Sequence, residues 1–203
     1  MKLVFDFGGV LFNWRPSALL QRELPHLAVD EASARHWAQA IFQSYEGDWG
    51  DFDRGIVSPE ALVLRISART GLSPGEVRRV VDGVPGELQP LPDTVALLEE
   101  LHGAGRTLFF LSNMPAPFAA HLQASYAFLE RFRDGVFSAH VHLAKPERAI
   151  FELASRRFGC APQELLFIDD HLPNVQTARE LGWQALHFRD AASCRSELRQ
   201  LGL

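Results

Sequence analysis

Six side chains in this 203-residue sequence have the types and spacing to do chemistry together: Asp6, Ser112, Asn113, Lys145, Asp169 and Asp170. Asp6 closes the apolar run Leu3-Val4-Phe5, and Ser112-Asn113 follow Thr107 to Leu111. Lys145 lies a few residues beyond Val136 to Ser138, and Asp169-Asp170 follow Leu165 to Ile168. An aspartate carboxylate is a nucleophile able to form an acyl-phosphate. A hydroxyl and an amide can hydrogen-bond phosphoryl oxygens, an ammonium can offset their charge, and an acidic pair can hold a hard cation. Magnesium takes one or two carboxylates and keeps several waters, which suits Asp6 with Asp170 across a narrow cleft. Taken singly, the same residues read as a turn cap, the start of a loop, a solvated lysine and a helix N-cap. What points to chemistry is their joint appearance at the ends of successive apolar runs.

Positioning such a set requires strands that end side by side. The pattern supplies them: strands at 3–5, 107–111, 136–138, 165–168 and 184–188 alternate with helices at 92–102, from Pro117, at 147–158, at 173–181 and at the C-terminus. This alternation predicts an α/β fold with a doubly wound parallel sheet, right-handed crossovers and helices on both faces, and such sheets bind ligands beyond the carboxyl ends of their strands. Between the first two strands the chain is helical from Pro16 to Val84. Ser17 can cap one helix through Leu27 and Asp30 another carrying Trp37, Ile41 and Phe42; Ser58-Pro59 and Ser73-Pro74 open two more, with Glu76 completing a capping box. Four helices without a strand form an insertion, so residues 1–13 and 88–203 are expected to make the α/β core and 14–87 a separate helical block.

Composition narrows the partners. Twenty basic against 25 acidic side chains give a net charge of −5, which leaves no basic footprint for nucleic acid or an anionic membrane. No run of 18 apolar residues occurs, and Leu3 to Phe12 is broken by Asp6, so a soluble protein is expected. Two cysteines, Cys160 and Cys194, are no disulfide framework and suit a reducing cytoplasm. Lysine occurs only at positions 2 and 145, which sets Lys145 apart in a chain whose positive charge is otherwise arginine.

The order Phe-Asp-Phe-Gly-Gly-Val-Leu, Leu-Ser-Asn, Lys-Pro and Phe-Ile-Asp-Asp-x-x-x-Asn resembles the four motifs of the haloacid dehalogenase-like hydrolase superfamily, over nearly the whole chain. Within it, the start at Asp6 and the helical insertion resemble the branch with the glucose 1-phosphate phosphatase and the N-terminal phosphatase domain of soluble epoxide hydrolase. The resemblance implies a Rossmann-like core with a small helical cap. It implies Mg2+ as cofactor and a small phosphorylated metabolite, a sugar phosphate or similar, as substrate. By position it makes Asp6 the nucleophile, Gly8 a metal ligand through its carbonyl, Ser112 and Asn113 phosphate binders, and Lys145 the charge neutraliser. Asp170 becomes the main metal carboxylate, Asp169 its companion in the first or second layer, and Asn174 an outer support.

One position departs from the pattern. Phosphatases of this superfamily usually carry a second aspartate two residues after the nucleophile, as general acid and base; here that residue is Gly8. General acid–base assistance is worth roughly 10²–10⁴-fold, so a slow or selective phosphatase is expected unless another group substitutes. His171 and the aspartates 48, 51 and 53 are the candidates. The segment Tyr45 to Arg54 reads as a loop: either it closes on the cleft, with Tyr45 and Trp49 stacking on a sugar or organic group and Arg54 pairing an acidic substituent, or it is a plain connector whose aromatics plug the cap core. Trp14 and Arg15 either line the cleft or fix the hinge. Two other functions fit part of the pattern: a metal-independent 2-haloacid dehalogenase, and a catalytically weak binding module on the same scaffold. The adjacent acidic pair favours the phosphatase, because facing a carboxylate nucleophile it needs a cation.

Overall fold

The computed structural model describes all 203 residues. The chain runs β1 (Lys2–Phe5), α1 (Pro16–Glu23), α2 (Glu31–Phe42), α3 (Gly47–Asp53), α4 (Pro59–Thr70), α5 (Pro74–Glu87), α6 (Pro92–Gly103), β2 (Leu108–Ser112) and α7 (Ala116–Ser125). It continues through β3 (Asp134–Phe137), α8 (Ser138–Val141), α9 (Arg148–Phe158), β4 (Leu165–Asp169), α10 (Leu172–Glu180), β5 (Gln184–His187) and α11 (Ala191–Gln200). The five strands form one sheet in the order β3-β2-β1-β4-β5, every pair parallel. The chain builds outward from β1 to β3, then returns to the other side of β1 with β4. That reversal leaves a crevice between the carboxyl ends of β1 and β4, where ligands of such sheets bind. Asp6 and Asp169-Asp170 flank it.

Alternation along the central strands divides the interior into two layers. Leu3, Phe5, Phe110, Leu166 and Ile168 point into one buried apolar cluster; Val4, Phe109, Leu111 and Phe167 point into another shared with Ile150, Phe151 and Val175. The first cluster also contains Leu19, Ile41, Val77 and Val84, so the inserted helices and one sheet face share continuous apolar packing. Where the chain leaves and rejoins the sheet, the two links run side by side. Asn13 donates to the Gln89 carbonyl and Leu91 to the Leu11 carbonyl, both at 2.8 Å, while buried Glu87 accepts from Arg15 and Arg22.

Asp30, Ser58 and Ser73 cap their helices as the sequence predicts, and Glu76 completes its box. Three expectations need correction. The first insertion helix has no side-chain cap and stops at Glu23, short of Leu27. Helix α5 continues through Pro85 to Glu87, for proline in a last turn follows an already formed helix. The segment from Tyr45 to Arg54 is largely a helix, α3, which makes five helices rather than four. Three left-handed residues, Gln43 to Tyr45, turn the chain sharply after α2. The Gln43 side chain then accepts from the Asp48 amide, and Trp49 packs edge-on against Phe42 and Phe52. Gly50 is required here, since a Cβ would come within 2.7 Å of the Tyr45 carbonyl.

Candidate active site

The floor of the crevice is a buried polar cluster centred on Lys145. Lys145 Nζ lies 2.7 Å from Asp6 Oδ1 and 2.7 Å from Asp169 Oδ2, with all three side chains out of bulk water. A buried ammonium survives only when paired. Burial alone would lower its pKa; the charges of Asp169 and Asp6 outweigh that and raise it. For Asp6 burial raises the pKa, Lys145 opposes the shift, and Asp169 and Asp170 add to it. A cation or a phosphate's own countercharge would therefore be held strongly here.

Of the two layers open to Asp169, its contacts suit the outer one. Its two oxygens accept Lys145 Nζ, the His171 amide and Asn174 Nδ2 on both sides, which fills the roughly four acceptor positions of a carboxylate. Asp169 thus holds the lysine. Asn113 lines the cavity, and its side-chain amide clamps the Lys145 backbone, donating to the carbonyl at 2.9 Å and accepting the amide at 2.8 Å. Ser112 ends β2 buried, and its hydroxyl has no partner at all. A buried hydroxyl without a partner is costly unless a ligand supplies one.

The residues fit a hard cation. Asp6, Asp169 and Asp170 each present an oxygen within 4.8 Å of the others, and with Asp169 saturated the open donors are Asp6 and Asp170. Asn174 Oδ1 is buried and unpaired beneath them, a free acceptor for a metal-bound water. The turn after β1 is shaped to this cluster at Gly9: its φ is +74°, and a Cβ there would overlap the Asp170 carboxylate. Gly8, by contrast, has no positive φ, and a Cβ would stand 3.7 Å from Trp14 Cβ.

Above the floor the inserted helices close a cavity of about 440 Å³ that both Asp6 and Lys145 line. Its buried end is apolar, with Trp49, Val84, Leu88, Met114 and Phe118, while Ser44, Tyr45, Glu46 and His171 stand exposed at the mouth. Trp14 Nε1 donates to the Tyr45 hydroxyl at 2.7 Å across that mouth. Trp49 is therefore both a core residue and a wall. Arg54 reaches the wall too, but its guanidinium is paired with Glu147 of the core, Nε at 2.9 Å. Two residues of this junction, Ser138 and Glu147, were invisible as site residues in the sequence. Ser138 Oγ accepts the Met114 amide and donates to the Asp53 carbonyl; its place at the end of the third strand was the only signal.

Residues 3–182 match the family described as haloacid dehalogenase-like hydrolase. The chain belongs to that family. A sesquiterpene phosphatase, astK, of Aspergillus oryzae is 30% identical over 98% of this chain and 94% of its own. An N-acetylmuramic acid 6-phosphate phosphatase of Pseudomonas aeruginosa is 30% identical over 92% of this chain and 80% of its own. A haloacid dehalogenase-family enzyme of Bacteroides thetaiotaomicron, solved with magnesium and inorganic phosphate, shares the fold with a TM-score of 0.72 at 22% identity, covering 93% of each chain. This hydrolase is a phosphatase. No helix is long and apolar enough to cross a membrane.

Proposed function

We propose that the protein hydrolyses a small phosphate monoester with Mg2+ through an aspartyl-phosphate on Asp6. The observation that carries this reading is the Asp6 carboxylate held by Lys145 on the floor of the cavity, with an unpartnered buried hydroxyl on Ser112 at the end of the neighbouring strand. Asp6 and Asp170, with the Gly8 carbonyl, would hold the cation, which when bound supplies charge stabilisation to the phosphoryl oxygens. Lys145 offsets the charge of the entering phosphate, and Asn113 and Asp169 keep the ammonium in place from its two ends. Ser112 donates to a phosphoryl oxygen. Residues 14–87 act as a cap over a core made of 1–13 and 88–203, and the Arg54–Glu147 pair links the two. The protein works as a soluble, cytoplasmic enzyme on a free metabolite.

The buried cavity end refines the substrate. Five apolar side chains and no unpaired cation suit a hydrocarbon or aromatic organic group better than a polyhydroxylated sugar, whose hydroxyls would lose their water partners there. The sesquiterpene phosphatase of A. oryzae supports the same choice. Dehalogenation of a haloacid would bring a carboxylate against Asp6 and Asp170, which repel it. The experiment is a substrate panel of prenyl, aryl and sugar phosphates with 2-haloacids, run with magnesium and with excess chelator. Magnesium-dependent turnover, best on the apolar esters, is expected; chelator-insensitive release of halide would overturn the reading.

A further inference from the structure

Three cap aspartates are candidates for the proton-transfer group absent at Gly8, and their surroundings separate them. Asp48 pairs with Arg69 at 2.9 Å and Asp51 with Arg65 at 3.2 Å, both away from the floor. Asp53 ends α3 with 5% of its surface exposed, lines the same cavity as Asp6 and Lys145, and makes no hydrogen bond through its carboxyl group. Its oxygens open onto the cavity rather than being sealed in the core, so a molecule occupying that cavity is the partner open to them. The backbone around it is fixed to the core at four points. The Asp53 carbonyl accepts from Ser138 Oγ, the Arg54 carbonyl from His142 Nδ1 at 2.8 Å, and Arg54 pairs with Glu147. Gly55 sits so close to Ala139, with φ at +68°, that a Cβ would meet the Ala139 carbonyl at 2.7 Å.

We propose that Asp53 is a catalytic residue, the general acid and base of this hydrolase, delivered from the cap rather than from the turn after β1. The assignment rests on the phosphatase reading above. Asp6 Oδ attacks phosphorus, the bond from phosphorus to the leaving oxygen breaks with its electron pair going to that oxygen, and the oxygen takes the Asp53 proton. Water then attacks the phosphorus of the aspartyl-phosphate and gives a proton to the Asp53 carboxylate. The phosphorus–Asp6 bond breaks, returning its pair to Asp6, and phosphate leaves with both residues restored. The protonation state agrees: burial pushes Asp53 up to about 8, against the opposing charges of Arg54 and Lys145 and with a further rise from Asp6, so the acid is charged with its proton at neutral pH. His171, exposed at the N-cap of α10, lacks this enclosure.

The test is kcat/KM for 4-nitrophenyl phosphate and for an alkyl phosphate, measured on wild type, Asp53→Asn and Asp53→Ser, with melting temperatures recorded for each. A poor leaving group needs the acid and a good one does not. The expected result is a loss of about 10²–10⁴-fold on the alkyl ester, with a loss at least tenfold smaller on the aryl ester. The variants should also release one rapid equivalent of nitrophenol per site before slow turnover, because hydrolysis of the intermediate has lost its base. Equal losses on both esters, or none, would overturn the assignment. Asp6→Asn is run alongside: phosphate-ester turnover there would sink the aspartyl-phosphate reading, whereas equal losses on both esters confined to the Asp53 variants sink only the Asp53 proposal. Two substitutions ensure that a folding defect in one does not decide the outcome.

Discussion

The floor of the crevice and the wall above it are built on opposite principles. On the floor the charges form one network, with Asp170 alone left open: Lys145 bridges Asp6 and Asp169, Asn174 grips Asp169, and Asn113 grips the lysine backbone. On the wall Asp53 makes no hydrogen bond through its carboxyl group, and the only ion pair, Arg54 with Glu147, ties the end of α3 to the start of α9. A paired network fixes geometry and charge, as a nucleophile and its countercharge demand. An unpaired carboxyl in an apolar wall keeps a proton that can be given away. The comparison teaches that removing a floor residue should damage every substrate alike, while changing the wall should alter which substrates are used.

The largest effect is expected from Asp6→Asn, which keeps the shape and removes the nucleophile: turnover should fall on the order of 10⁴–10⁶-fold on all phosphate esters with an unchanged circular dichroism spectrum. Substrate-selective loss would break the contrast between floor and wall. Next, Asn174→Ala frees Asp169 on one side, and magnesium titration of activity should show affinity or rate reduced about 10–100-fold. No change would mean that Asp169 needs no such support. A smaller effect is expected at the junction. Because the Arg54–Glu147 pair is partly exposed, a double-mutant cycle with Arg54→Ala and Glu147→Ala should give a coupling of only about 0.2–1 kcal/mol in stability. The same variants should shift the ratio of alkyl to aryl ester turnover, since they loosen the segment that carries Asp53; an unshifted ratio would separate the junction from the chemistry.

The last prediction is a matter of sign. Asp53 titrates at about 8 in the fold against an ordinary 3.8, so between those values the folded chain holds a proton that the unfolded chain has lost. Its contribution to stability must therefore decline as pH rises from about 4 to about 8 and level off above. Asp53→Asn removes that decline. Melting curves of wild type and variant should diverge across this window, the variant gaining stability relative to wild type as the pH rises from about 5 to about 8.5. Parallel curves would place a charged, not a neutral, carboxyl at position 53.

Much of the floor was legible before the fold was known, because parallel strands end on one edge and Asp6, Ser112 and Asp169 each close an apolar run. The sheet followed from the same alternation. What the sequence could not say was which acceptors each polar group would find: Asp169 and Asn113 look like ligand-binding residues until both are seen engaged with Lys145. The wall was hidden for a different reason. Two glycines, three aromatics and five charges make Tyr45 to Arg54 look like a loop, although Trp49 and Phe52 at helical spacing were the available sign of α3. Three aspartates within six residues have equal standing in the sequence. Only packing shows that Arg69 and Arg65 neutralise two and leave the third facing the cavity.

The most direct test of the central claim is a rapid acid quench during a single turnover of radiolabelled phosphate ester, followed by peptide mapping of the protein. The account predicts a transient phosphoryl label, removed by hydroxylamine, on the peptide containing Asp6, forming before phosphate is released and absent in Asp6→Asn. Phosphate release within the resolved turnover with no label at Asp6 at any time, or with the label on another residue, would contradict it.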